Sequence, residues 1–104
     1  MLRVSECLEN LVKTDDLHGR LKGSIKGYEH RLKALKASLK RQSALTSDCA
    51  REDEALAHPD YQALLKEYEG MCIDFHTIDA RRQTWALTIE VWRSQNANKR
   101  QGNI

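Results

Sequence analysis

The fold is decided by the stretch YQALLKEYEGMCIDFHTIDARRQTWALTIEVW, which occupies residues 61–92. Its apolar residues recur at gaps of three and four, which is the period of one face of an α-helix and not that of a β-strand. Arg82 is the one charged residue in this seam. Its guanidinium could extend past the seam to solvent, pair with an acid, or fix the register of the two helices, and we favour the last of these. The seam consists of Tyr61, Leu64, Tyr68, Met71, Phe75, Ile78, Arg82, Trp85, Ile89 and Trp92.

A second seam lies upstream, and a break separates the two. Six apolar residues at gaps of four and three predict another long helix. A cluster of Ser, Thr and Asp over residues 43–48 predicts its end, and Pro59 with Asp60 suits the first turn of the next helix. Two such helices with a short connection should pack antiparallel. The upstream seam consists of Leu21, Ile25, Tyr28, Leu32, Leu35 and Leu39.

The chain of 104 residues has room for a single domain. The sequence predicts an all-α fold, a long antiparallel helical hairpin with a short N-terminal helix. Thr14 or Asp15 is a natural N-cap where the long helix would begin. We also expect Arg31 and Asp74 to form an ion pair that sets the register. The predicted segments are a short helix over 3–13, a long helix over 15–44, a connection at the turn over 46–58, a long helix over 59–95 and a frayed tail over 96–104.

Self-association is expected because a lone hairpin buries only one stripe on each helix. A homo-oligomer that assembles as a helical bundle would bury more of the surface, and a monomer is the alternative. Residues 1–13 could then pack either on their own hairpin or on a neighbouring copy.

Composition argues against a membrane or a secreted protein. No apolar run approaches the roughly 20 residues of a membrane span, and Glu6 stands where a signal peptide needs apolar residues. Three widely spaced cysteines, an odd number, are typical of reduced thiols, so the sequence predicts a cytoplasmic location. The cysteines are Cys7, Cys49 and Cys72.

The distribution of charge is more informative than the net charge of +2. Residues 1–41 carry ten Lys and Arg against five Asp and Glu, residues 42–80 carry two against nine, and residues 81–104 carry five against one. A hairpin that folds back in the acidic middle would bring both basic segments to its open end. The sequence therefore predicts an electrostatically bipolar molecule.

A basic ridge on the first long helix is a candidate site for anions or nucleic acid. Lysines spaced at helical intervals could contact phosphates or an acidic protein patch, although such a face is usually only solvated. No known DNA-binding motif is present, so reading of specific bases is not expected. The candidates are Lys22, Lys26, Lys33, Lys36 and Lys40 on the ridge, joined by Arg93, Lys99 and Arg100 at the open end.

Gly19, Gly23 and Gly27 recur every four residues inside the first long helix. Each costs roughly 1 kcal/mol relative to Ala, so three in register need a reason. They would allow close approach of the N-terminal segment or of a second subunit, or they could border a groove for a ligand. The remaining alternative is a poor, kinked helix.

Trp85, Ile89 and Trp92 form a candidate interface near the open end. One heptad separates the two tryptophans, so both could be core residues. If the N-terminal segment leaves them uncovered, they become natural hot spots for a protein partner.

Catalytic and metal sites are not predicted. Cys72 and His76 share a helix face as half a metal site would, but Cys49 and His58 could complete it only in a contrived fold. The sequence contains no nucleophile motif and no glycine-rich phosphate loop. We therefore expect no enzyme activity, no metal and no cofactor.

Pro59-Asp60-Tyr61 opens the second long helix, and its end reads IEVWRSQNANKR over residues 89–100. This stretch resembles a group of small helical-hairpin proteins encoded by bacteriophages and prophages. The resemblance implies a phage origin, and with it a role in DNA transactions or in countering host systems within the host cytoplasm. It implies no particular functional residue.

Three functions are therefore expected in order of preference. The first is a non-enzymatic, phage-type interaction protein that binds and modulates a protein partner, with a nucleic-acid-handling or host-defence machine as the candidate source of that partner. The second is sequence-independent nucleic-acid binding through the basic open end. The third is a structural or assembly subunit.

Overall fold

Three helices account for nearly all of the structure, a computed structural model that describes residues 3–102. This part is 93 % helical and contains no strand. The helices are α1 (Val4–Gln42), α2 (Asp48–Ala57) and α3 (Pro59–Gly102). The predicted fold class, all-α with a long antiparallel helical hairpin, is confirmed.

Helix α1 is continuous, which corrects the predicted division into helices over 3–13 and 15–44. Thr14 does not act as a cap, because its hydroxyl donates to the carbonyl of Asn10 one turn earlier, at 2.7 Å. This bond keeps the Thr14 side chain within the helix. The N-terminal segment is therefore the first part of α1.

The predicted connection over 46–58 contains a helix of its own, α2. Ser47 has extended backbone dihedrals and its side chain accepts from the amide of Ala50, so it is an N-cap. Two lysines of α1 pair with α2: Lys36 with Glu52 at 2.8 Å and Lys40 with Asp48 at 3.0 Å. The hydrogen bond in the first pair raises the pKa of Lys36 and lowers the pKa of Glu52.

Helix α3 begins at Pro59, and the preceding residue explains the boundary. His58 has φ −63° and ψ 135°, the extended conformation that a following proline imposes. At the other end α3 continues to Gly102, so the predicted frayed tail is helical as far as the described residues reach. Asn96 donates to the carbonyl of Trp92 at 3.1 Å within this part of the helix. Residues 103 and 104 lie outside the described residues.

The chain forms two compact units, and α1 and α3 contribute to both. The first unit contains the described residues up to Arg20 and those from Phe75 onward, and the second is Leu21–Asp74. Across the described residues, only three hydrophobic side chains are buried: Cys7 in the first unit, and Leu32 and Ala55 in the second. No helix in the described part is long and apolar enough to cross a membrane.

Reciprocal tyrosine–glutamate bonds align α1 and α3 in the second unit. Tyr28 of α1 donates to Glu67 of α3 at 3.4 Å, and Tyr68 of α3 donates to Glu29 of α1 at 3.1 Å. The Cys72 thiol, followed by the Glu29 carboxylate, raises the pKa of Tyr68 to about 12. The two bonds join one turn of α1 to one turn of α3, so they fix the height of the two helices relative to each other in this unit.

Arg31 does not form the predicted ion pair with Asp74 in the described structure. Its guanidinium lies over the ring of Tyr28, 4.4 Å from the centroid. A guanidinium over an aromatic face keeps its charge at the surface while its stem covers apolar area. The register that this ion pair was expected to set is therefore set by the hydrogen bonds of Tyr28 and Tyr68.

A histidine–aspartate pair ties α1 to α3 in the first unit. His18 Nε2 lies 2.9 Å from Asp79 Oδ1, and the imidazole stacks on Phe75 with 5.1 Å between ring centroids. Gln83 donates to the other oxygen of Asp79 at 2.8 Å. The hydrogen bond from His18 is the main cause that lowers the pKa of Asp79.

Acid is expected to weaken this tie. Because the pKa of Asp79 is lower in the folded chain, its carboxylate stabilises the fold above its unfolded pKa, and the stabilisation is lost as the pH falls through the folded value. The free energy of unfolding should therefore fall below about pH 4, and less steeply in Asp79→Asn. Urea unfolding of both chains at neutral and acidic pH measures the difference. Equal acid dependence in the two chains would show that the pair contributes nothing.

Arg82 makes the second tie of the first unit. Its Nη1 donates to the Leu11 carbonyl at 2.8 Å and to the Thr14 hydroxyl at 2.7 Å, and its Nη2 lies 2.7 Å from Asp15. The Arg82 side chain is only 18 % exposed, whereas Asp15 is 75 % exposed. Arg82 thus both pairs with an acid and joins α3 to one turn of α1, which defines the register there.

Candidate functional site

A groove of about 840 Å³ lies in the first unit, between the beginning of α1 and the end of α3. Its walls are two antiparallel helices, held at their relative height by the ties of Arg82 and His18. Most of its lining is aliphatic or aromatic. The lining residues are Arg3, Val4, Ser5 and Leu8 from α1 and the residue before it, with Leu87, Thr88, Val91, Trp92 and Gln95 from α3.

The apolar lining of the groove is unusually exposed. Leu8 is 50 %, Leu87 64 %, Val91 48 % and Trp92 50 % accessible. Large apolar side chains that lie together at the surface mark sites of interaction, whereas single exposed ones do not. These four side chains line the same groove, so it is the strongest candidate for a binding surface.

The three residues of the predicted interface lie in different surroundings. Trp92 lines the groove, whereas Trp85 and Ile89 are half-buried and do not line it. In α1, Cys7 is fully buried while its neighbour Leu8 lines the groove. The beginning of α1 therefore both packs against the rest of the unit and forms one wall.

Charged residues of both signs surround the groove: Glu6 and Glu9 stand beside its α1 wall, and cations prevail at its α3 end. Arg3 lines it directly, and the exposed Lys99 and Arg100 follow on α3. Arg93 lies 3.2 Å from Glu90, but both side chains are about two-thirds exposed, so the pair is weak and exchangeable. A negatively charged ligand would be favoured at the α3 end of this groove.

The predicted basic ridge divides into two groups within the second unit. Lys36 and Lys40 are engaged by α2 through their ion pairs. Lys22, Lys26 and Lys33 are exposed and form no ion pair among the described residues. The remaining candidates, Arg93, Lys99 and Arg100, belong to the first unit. Only part of the ridge is thus available for an external anion.

The predicted glycine face is open. A Cβ placed on Gly19 or Gly23 would meet no described atom within 4 Å, and one on Gly27 would meet only a guanidinium nitrogen of Arg31 at 3.7 Å. Because α1 is continuous, the N-terminal segment does not fold back onto these residues. The described part of the chain therefore leaves this face uncovered.

Thiols and histidines do not converge in the described structure. Cys7, Cys49 and Cys72 are all free thiols. No group of three or more Cys, His, Asp or Glu among residues 3–102 is placed to hold a metal ion.

Of the nine lining residues, sequence reasoning identified only Trp92. The apolar ones that it missed are Val4, Leu8, Leu87 and Val91. The first two were assigned to a separate short helix, which removed them from the hairpin. The other two lie outside the main seam of α3, but a weaker signal was present. Ala80, Thr84, Leu87 and Val91 repeat at gaps of four, three and four, which indicates a second face for helix packing.

No protein-family profile, curated protein or solved structure matches the chain.

Proposed function

We propose that this chain is a non-enzymatic interaction protein that binds and modulates a protein partner through the groove of its first unit. The observation that supports this most directly is the cluster of exposed apolar side chains, Leu8, Leu87, Val91 and Trp92, on the walls of one groove. Interfaces draw most of their binding energy from a few aromatic and aliphatic anchors that become desolvated. Trp92 is the best such anchor.

The biological setting that we propose is the cytoplasm of a phage-infected bacterium. The stretch from Pro59 onward resembles small helical-hairpin proteins of bacteriophages, and the three free thiols suit a reducing compartment. The partner would then belong to a nucleic-acid-handling or host-defence machine.

We also propose that the chain acts as a homo-oligomer. Among residues 3–102 only three hydrophobic side chains are buried, Cys7, Leu32 and Ala55. A second copy could cover part of the remaining apolar surface, because a standard interface removes about 800 Å² from each partner.

Nucleic-acid binding is the second candidate function. Lys22, Lys26 and Lys33 are exposed and unengaged among the described residues, so they could release counterions from a phosphate backbone. Aromatic side chains do not alternate with them as in single-strand binding surfaces. This candidate therefore ranks below the groove.

Affinity capture from a bacterial host extract separates the two candidates. Three tagged full-length baits are compared: the wild-type chain, Trp92→Ala and the triple variant with Lys22, Lys26 and Lys33 changed to Glu. We expect a specific protein to be recovered by the wild type and by the triple variant, and to be reduced at least about tenfold by Trp92→Ala.

The triple variant is the matched control, and nuclease treatment of the extract is the second. A partner that is lost with the lysines and after nuclease treatment, but kept by Trp92→Ala, would replace the first proposal with the second. Equal capture by all three baits would remove the groove from the function.

A further inference from the structure

On the basis of the proposed function, we infer that the partner fills the groove with an amphipathic α-helix that carries acidic residues beside its apolar face. Three observations support this occupant: the spacing of the apolar residues in the groove, the charges beside it, and the packing of the chain's own acidic helix, α2.

The spacing of the apolar residues suits a helix. Val4 and Leu8 are four residues apart on one wall, as are Leu87 and Val91 on the other, so each wall presents one apolar side chain per turn. The α3 wall extends from Leu87 to Gln95, which corresponds to about 12 Å, or two turns. A helix with apolar residues at i, i+4 and i+7 matches this period. An added β-strand would need a sheet edge, and residues 3–102 contain no strand.

The cations at the α3 end of the groove select an acidic partner, whereas Arg3 on the other wall is offset by Glu6 and Glu9. Arg3 lines the groove. On α3, Arg93 lies within the stretch that forms the wall, and Lys99 and Arg100 lie beyond its last lining residue, Gln95. Between Asp79 and Gly102, the single acid of α3 is Glu90. Carboxylates on an incoming helix could pair with these cations at the rim, which would raise the association rate and select the partner.

The acidic helix within this chain is not free to serve as the partner. Of the four acids of α2, Asp48 and Glu52 are paired with Lys40 and Lys36, and Glu54 accepts from Ser43. Its Ala55 is 1 % exposed, so α2 is packed within the second unit. A second copy that offered its own groove would bring the same basic residues, which would repel the first set. The occupant is therefore assigned to another protein.

Two synthetic helical peptides test the inference. Both have leucines at i, i+4 and i+7; one is flanked by glutamates and the other by lysines. The full-length chain with Trp85→Phe retains Trp92 as its single tryptophan, so a blue shift of its fluorescence reports that the groove is covered. The acidic peptide should bind at least about tenfold more tightly at low salt than the basic one, and this preference should shrink as salt is added.

Matched variants locate the binding site. Val91→Glu should abolish binding of the acidic peptide, because it removes an apolar side chain from the groove wall and places a repelling carboxylate there. Val12→Glu makes the same change of charge at an exposed valine of α1 that does not line the groove, and should leave binding unchanged. Circular dichroism checks that both variants keep their helical content.

Each contrary outcome has a distinct meaning. Equal binding of the two peptides, or no binding of the acidic one, overturns the inference. A host protein captured through Trp92 would still support the proposed function in either case. If the chain sediments as a dimer that Val91→Glu dissociates, the groove belongs to a second copy, and the inference is again overturned.

Discussion

Leu32→Ala is expected to lower the free energy of unfolding by about 2–4 kcal/mol. Leu32 is 8 % exposed and is the one large aliphatic side chain that is buried among residues 3–102, since the other buried hydrophobic residues are Cys7 and Ala55. Truncation removes the transfer free energy of the side chain and leaves a cavity that rigid helices can close only in part. Equilibrium urea unfolding, followed by helical circular dichroism, measures the loss.

Leu87→Ala is the matched control for Leu32→Ala. It makes the same substitution within a helix, but Leu87 is 64 % exposed, so the stability should change by no more than about 0.5 kcal/mol. If the two variants were equally stable, burial of Leu32 would contribute nothing, and the core of the second unit would have to lie elsewhere.

Arg82→Ala should cost about 2 kcal/mol. The guanidinium makes two bonds with part-buried groups of α1, the Leu11 carbonyl and the Thr14 hydroxyl. Bonds that involve a charged donor are stronger than neutral ones, and the loss of this donor leaves the Thr14 oxygen with one partner fewer. The exposed carboxylate of Asp15 should matter little, because pairs near solvent are screened. Thermal unfolding with two-state fitting gives the value.

The neighbouring residue provides the control for Arg82→Ala. Arg81 is exposed on the same helix and has no ion pair among the described residues. Arg81→Ala therefore makes the same change in charge and helix propensity as Arg82→Ala, but it removes no bond between α1 and α3. The prediction is wrong if the two alanine variants unfold at the same temperature. Arg82→Met should recover part of the loss, because an apolar side chain of similar length can fill the same space.

The main features of the fold could be predicted because they are repetitive. Two runs of apolar residues at gaps of three and four specify long helices wherever they occur. Pro59 stands at the beginning of α3 because it needs no amide partner there and restricts His58 to an extended conformation. Such signals act over one or two turns, so the sequence contains them in full.

The errors in the fold prediction come from residues with two possible roles. Thr14 and Asp15 can cap a new helix or remain within a continuous one, and the deciding partner, Arg82, is distant in sequence. Likewise, residues 46–58 were predicted only as a connection at the turn, whereas Asp48 and Glu52 lie on α2 and pair with Lys40 and Lys36 of α1. Arg31 had two possible partners, and its guanidinium lies over the ring of Tyr28.

The candidate site could be predicted only in part, because exposure depends on the partner helix. Trp92 was identified from its position in the seam near the open end. Leu8 and Val91 gave no comparable signal, since an apolar residue outside a seam is usually a scattered surface residue. They acquire significance from the register of the first unit, in which both line the same groove.

The sequence separation of the ties also bears on how the molecule folds. In the second unit, the bonds from Lys36 to Glu52 and from Tyr28 to Glu67 join residues 16 and 39 positions apart. In the first unit, His18 and Asp79 are 61 positions apart, and Leu11 and Arg82 are 71 apart. The entropic cost of closing a loop rises with its length. The pairing of α1 with α3 should therefore start near the turn and proceed toward the two ends of the chain. The groove would then be completed late in folding, and a partner could find it only on chains that have folded almost completely.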